Sequence, residues 1–164
     1  MIADEVKKIL GLTPHPREGG WYMRTYEANE FVAVSERYNG PRRTGTAIYY
    51  LLEPGTFSEM HVLKSDEIFH HYIGGAVEML QLCPDGTSKR VVIGKDLGAG
   101  ERPQVVVPRG VWQGTRLVVE EGFALLGCTV SPGFEFADYQ SATREELCAK
   151  WPGERERITK LTRN

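Results

Sequence analysis

The chain has 164 residues, 26% of them charged and 41% apolar, and its 20 basic and 22 acidic side chains leave a net charge of −2. That length suits one domain with a sizeable core, and so small a charge gives no field to draw nucleic acid. No segment interleaves basic with aromatic residues as a nucleic-acid face does, and no apolar run approaches the roughly 18 residues of a membrane span.

The opening MIADEVKKILGL lacks the basic-then-apolar order of a signal peptide. Its Ile2, Val6, Ile9 and Leu10 form a one-face stripe, so a helix is expected over 1–12, stopped by Gly11 and Pro14. Cys83, Cys128 and Cys148 form neither a CxxC pair nor a zinc pattern. Free thiols in a reducing, cytoplasmic setting are the expectation.

From Gly20 the texture changes to short β-type runs: WYMRTYE, TAIYYLLE, EIFHHYI, AVEMLQLC, RVVIG, QVVVP, TRLVVE and FALLGCTV. Turn residues separate them, and the PDG at 84–86 is the strongest hairpin signal. About eight short strands with no helix among them predict an all-β sandwich or barrel over 20–139. Helical signals return over 141–164. Thr143 and Glu146 fit a capping box, Leu147 and Trp151 give an apolar face, and the mixed-charge GERERITKLTRN reads as a solvated helix.

The stretch HVLKSDEIFHHYIGG at 61–75 holds three of the four histidines and a glutamate. Strand alternation places His61 and Leu63 on one face, and Glu67, Phe69, His71 and Ile73 on another single face, opposite Ile68, His70 and Tyr72. Only one of His70 and His71 then enters a barrel. His71 is expected if Glu67 points inward; a bulge would reverse the choice. Arg24 alternates with Tyr22 and Tyr26, which would aim its guanidinium fork at a carboxylate or phosphate. Thr46 is a pocket candidate in TAIYYLL, and Trp112 should point away from Gln113, into packing. Arg42 and Arg43 lie in turn chemistry and are expected in solvent.

With those residues in view, the sequence resembles a cupin. Gly55, His61, Glu67 and Gly74 fall at the spacing of the first cupin motif, with Leu63 where a second histidine stands in the pattern. Pro108-Arg109-Gly110-Val111-Trp112 leads into Gln113, where the second motif has a histidine. The strings THP, GGWY, TAIYYLL, HVLKSDEIFHHY, VPRGVWQG and SPGFEFADY resemble, in order, the small uncharacterised cupin family of domains of unknown function, cupin type five. The resemblance runs from about residue 5 to about 160. It implies one domain, a double-stranded β-helix (jelly-roll-like) barrel with short terminal helices, usually a homodimer, holding a small-molecule pocket. It implies no settled activity.

Three readings of the site stay open. The first is metal-independent acid–base chemistry, since a histidine and a carboxylate in an apolar barrel are readily poised near neutrality. Cupins that epimerise nucleotide-linked 4-keto sugars resemble this arrangement. By that likeness His61 is the base, Asp138 its supporter, and Tyr22, Tyr50 or Tyr139 the acid; Glu67 is a further catalytic candidate as the carboxylate of the first motif. The second is a metal enzyme in which His61, Glu67 and Gln113 hold a divalent ion, weakly because an amide is a poor ligand for such metals. The third is a sensor that binds a ligand without changing it. In each, the expected ligand is a polar small molecule such as a sugar derivative or small carboxylate, met by Arg24, Tyr22, Thr46, Phe69, His70, His71 and Gln113. No resident cofactor is expected.

Overall fold

Two antiparallel sheets close on one another in the computed structural model, which describes residues 1–33, 36–119 and 121–163. The elements in chain order are α1 (Ala3–Leu10), β1 (Thr13–Pro14), β2 (Trp21–Glu27), β3 (Phe31–Val32), β4 (Arg42–Arg43), β5 (Thr46–Leu52), β6 (Phe57–Val62) and β7 (Asp66–Gly74). They continue with β8 (Val77–Leu82), β9 (Ser88–Ile93), β10 (Gln104–Val107), β11 (Trp112–Leu117), β12 (Ala124–Ser131), β13 (Gln140–Ser141), α2 (Arg144–Lys150) and α3 (Arg155–Lys160). One sheet runs β1-β2-β5-β12-β7-β10 and the other β13-β6-β11-β8-β9, while β3 and β4 pair separately.

Period-two alternation decides what lies between the sheets. Tyr50 and Leu52 of β5, Leu126 and Cys128 of β12, Phe69 of β7, and Val77 and Met79 of β8 form the central core. The outer faces are covered by the helices. Val6 and Leu10 of α1 pack on Leu51, Leu125 and Trp21 of the first sheet. Leu147, Trp151, Ile158 and Leu161 pack on Met60, Leu80, Leu82 and Trp112 of the second. The C-terminal segment is therefore half buried, because Ile158 and Leu161 need an apolar cover that its alternating charges conceal.

Several expectations hold at the level of elements. β8 and β9 form the hairpin around the PDG turn, with Val77 opposite Ile93 and Leu82 opposite Ser88. The Thr143 hydroxyl caps α2 and the Glu146 side chain answers at the Thr143 amide. Other details differ. Ile2 and Ile9 are exposed, and Val6 carries the buried side of α1. The expected strand TRLVVE lies earlier, as WQGTRL, because its register is set by pairing with β6 and β8. Among the described residues no helix is long and apolar enough to cross a membrane.

Candidate functional site

A narrow cleft opens between the sheets near the start of β7, with about 430 Å³ of empty space including its mouth. His15, Glu18, Tyr22, Arg24, Thr46, His61, Glu67 and Cys128 give it its polar groups, and Ile48, Leu63, Val130 and Phe134 its apolar wall.

A bulge in β6 orients His61. Thr115 pairs with Ser58 and Gln113 with His61, so Glu59 and Met60 together oppose Gly114. Their amides leave the ladder: Glu59 donates to the Glu18 carbonyl at 2.9 Å and Met60 to the Leu161 carbonyl at 2.8 Å. The Glu59 carbonyl accepts from the His61 Nδ1 at 2.7 Å. A carbonyl only accepts, so Nδ1 carries the hydrogen and the lone pair of the neutral ring sits on Nε2. Nε2 has no protein partner among the described residues. Tyr139 stacks on this ring, with centroids 4.9 Å apart and planes 17° apart.

Glu67 lies at the floor. Gln113 donates to its carboxylate at 2.5 Å, while the Gln113 Oε1 has no protein partner. Burial raises the Glu67 carboxyl to about 7, with repulsion from Glu18 adding to the rise and His61, Gln113 and the Cys128 thiol opposing it. Burial and the same carboxylate push the Cys128 thiol well up, so it stays protonated as a donor rather than a nucleophile.

The loop 15–20, HPREGG, forms the remaining wall. The Ser58 hydroxyl donates to the Glu18 carboxylate, the Tyr50 hydroxyl to the Gly19 carbonyl at 2.8 Å, and the His15 amide to the Gly20 carbonyl at 2.9 Å. His15 is buried edge-on against Tyr22, centroids 4.7 Å apart. Its Nδ1 accepts from the Glu18 amide at 2.8 Å and the Arg17 amide at 3.4 Å. Burial lowers its pKa, Glu18 acts in the opposite sense, and His61 and Arg163 reinforce the lowering.

The cleft thus gathers His61, Glu67, Tyr22, Arg24 and Thr46, with Gln113 beneath Glu67. Arg24 is already paired with Glu27, and the Thr46 hydroxyl accepts from the Phe134 amide at 2.9 Å. Five expectations are corrected. Asp138 does not support His61; it forms a buried two-point ion pair with Arg42, at 2.7 and 2.9 Å, and the Arg42 expected in solvent is its partner. Phe69 is core, 1% exposed, and lines no part of the cleft. His71 lies four residues beyond Glu67, about 13 Å down the strand, and donates from Nε2 to the Gly75 carbonyl at 3.0 Å. His70 stays off the cleft, its Nε2 at 3.4 Å from the Thr129 hydroxyl and its ring stacked on the exposed Tyr72. Of the three tyrosines, Tyr22 alone lines the cleft, since Tyr50 is engaged by Gly19. Tyr139 lies behind His61, and burial pushes its hydroxyl up.

A divalent metal fits these residues poorly. Among the described residues no three His, Cys, Asp or Glu side chains converge as a ligand set. Leu63 stands in the cleft wall, and Gln113 turns its amide nitrogen to Glu67.

His15 and Glu18 were missed from sequence. A loop has no periodicity to mark inward residues, and the sole signal was their place between the THP and GGWY strings.

The model of the cupin superfamily family DUF985 matches residues 4–142. An uncharacterised protein of Saccharomyces cerevisiae, YML079W, is 32% identical over 134 residues, which are 75% of this chain and 67% of that protein. The crystal structure of protein SO0799 from Shewanella oneidensis matches with a TM-score of 0.88 at 36% identity, covering 99% of this chain and 98% of that one. A hypothetical protein from Leishmania major matches with a TM-score of 0.92 at 28% identity over the whole of both chains. More distantly, a dTDP sugar isomerase from Desulfovibrio desulfuricans (TM-score 0.53, 12% identity, 74% of this chain and 83% of that one) and an oxalate decarboxylase (TM-score 0.55, 15%, 96% and 39%) share the fold alone.

Proposed function

The chain belongs to the cupin superfamily (DUF985), and on that premise we propose that its cleft binds a small polar carbonyl compound and moves a proton on it, as a sugar epimerase or isomerase does. One observation carries the reading: an imidazole whose Nδ1–H is held by a backbone carbonyl, and whose Nε2 lacks a protein partner among the described residues, shares the cleft with a carboxyl held near 7. General acid–base catalysis needs one group able to accept and one able to donate at the same pH.

In the proposed step His61 Nε2 takes a proton from the carbon beside the ligand's carbonyl. The C–H electron pair forms the C=C bond of an enolate, and the carbonyl pair moves to oxygen. Protonated Glu67 returns a proton to the same carbon from the opposite face, the C=C pair forming the new C–H bond as the oxygen pair re-forms the carbonyl, and the centre is inverted. The two groups end with protons exchanged, and solvent at the mouth resets them. No metal enters this sequence, because the donor set does not converge.

The test is solvent exchange. Wild-type protein with a nucleotide-linked 4-keto sugar in deuterated water should incorporate deuterium beside the carbonyl, and His61→Ala and Glu67→Gln should abolish it. Binding without exchange would instead favour a ligand sensor, and exchange appearing only after a divalent ion is added would overturn the metal-free mechanism.

A further inference from the structure

We propose that His15 is a ligand-binding residue of the cleft, whose Nε2–H is a fixed, uncharged donor that meets an acceptor oxygen of the ligand. The inference rests on the acid–base reading for the identity of that oxygen, the ligand's carbonyl, but not for the state of the ring.

The argument begins at the other nitrogen. Two backbone amides, of Arg17 and Glu18, point at His15 Nδ1. A hydrogen on Nδ1 would face two donors with no acceptor, so Nδ1 must keep its lone pair and the single hydrogen of the neutral ring resides on Nε2. Double protonation would break the hydrogen bonds from both amides and bury a charge in a ring wedged against Tyr22, Tyr50 and Phe136. Among the described residues Glu18 is the acid paired with it, its Oε2 3.9 Å from Nε2, beyond hydrogen-bond reach. The other Glu18 oxygen is held by Ser58. The Arg163 guanidinium opposes charging as well, and a proton on His61 would add to that opposition.

The outcome is a matched pair of imidazoles in one cleft. His61 is fixed by a carbonyl and offers a lone pair; His15 is fixed by two amides and offers a hydrogen. Neither Nε2 has a protein partner among the described residues, and both rings line the same space. The ligand edge that satisfies them carries an acceptor oxygen next to a hydroxyl or an acidic C–H, which is the edge of an α-hydroxy ketone. A neutral donor also suits the proposed chemistry: it strengthens its bond as the carbonyl oxygen gains negative charge, without holding the ground state as tightly as a cation would.

Two substitutions separate ligand contact from loop support. Asparagine places an oxygen where Nδ1 was and keeps the Arg17 and Glu18 amides satisfied, but has nothing at Nε2. Glutamine places an N–H near Nε2 and leaves those amides unpaired. The experiment uses the full chain with ring-¹⁵N histidine, assigning His15 by its loss in His15→Asn, and titrates dihydroxyacetone against glycerol, its reduced counterpart. The expected result is a neutral Nε2-protonated His15 alongside an Nδ1-protonated His61 near pH 7. Dihydroxyacetone should be preferred over glycerol by roughly two- to tenfold, the worth of one hydrogen bond. His15→Asn should bring that preference to parity with the fold intact, and His15→Gln should keep part of it. A His15 ring protonated on Nδ1, no preference for the ketone in wild type, or an unchanged preference in His15→Asn would each overturn the assignment. The two proposals fail separately: ketone preference without deuterium exchange removes the proton-transfer step, and exchange in wild type with an unchanged ketone preference in His15→Asn removes His15.

Discussion

Gln113 reaches from β11 across the barrel floor to donate its amide to Glu67 on β7, two residues 46 positions apart and both almost wholly buried. The bond favours the ionised carboxylate, yet burial and Glu18 prevail and hold the group near 7. The folded chain therefore keeps a proton that the unfolded chain releases at about 4.5. Between those values the native state binds more protons, so stability is lost as pH rises through the window. Glu67→Gln keeps the polar pairing and removes the charge. It should stabilise the protein relative to wild type by on the order of 2–3 kcal/mol at pH 8, and by little at pH 4. Urea unfolding at both pH values measures the difference.

The Gln113 side chain itself is the second test. Gln113→Leu removes the donor while filling the space, so the Glu67 carboxyl should titrate above its wild-type value. Infrared titration of the carboxylate band would detect the rise. A fall would mean that Gln113 works mainly by keeping water away.

Arg42 and Asp138 form a structural pair, with side chains 4% and 3% exposed. Arg42 also donates to the carbonyls of Asn39, Gly40 and Pro41, tying that turn to the segment after β12. Asp138→Ala leaves a buried guanidinium without its partner and should cost about 3 kcal/mol. Thermal unfolding at neutral pH would measure it. At a temperature where the variant stays folded, proton exchange on the ligand should be unchanged, because Asp138 touches neither His61 nor the cleft.

Gly19 lets the loop carrying His15 and Glu18 pass close to the Phe57 backbone. Its φ is +103°, and a Cβ there would stand 2.4 Å from the Phe57 carbonyl oxygen. Gly19→Ala must displace that loop, and with it the Glu18 carbonyl that receives the Glu59 amide beside His61. The expected outcome is a stability loss of at least about 2 kcal/mol together with loss of ligand binding, read by denaturant titration and calorimetry.

The legible part of the site was the part on strands. His61, Glu67 and Gln113 follow from motif spacing and alternation, because a strand residue's direction is set by its neighbours' faces. His71 was misjudged because alternation gives the face but not the distance along it; the cleft ends before that residue is reached. Asp138 was misread because its partner Arg42 lies 96 positions earlier, and nothing in either stretch announces the other. His15 escaped notice because its role depends on where two backbone amides point.

β12 lies between β5 and β7 in the first sheet, although it comes after both in the chain. During synthesis the inner edges of β5 and β7 have no mate until about residue 131 has emerged from the ribosome. A nascent chain stalled before that point presents two open edges rich in Tyr, Leu and Ile, which favours chaperone capture or aggregation. A frameshift or nonsense lesion anywhere upstream of β12 should consequently yield insoluble material rather than a smaller barrel.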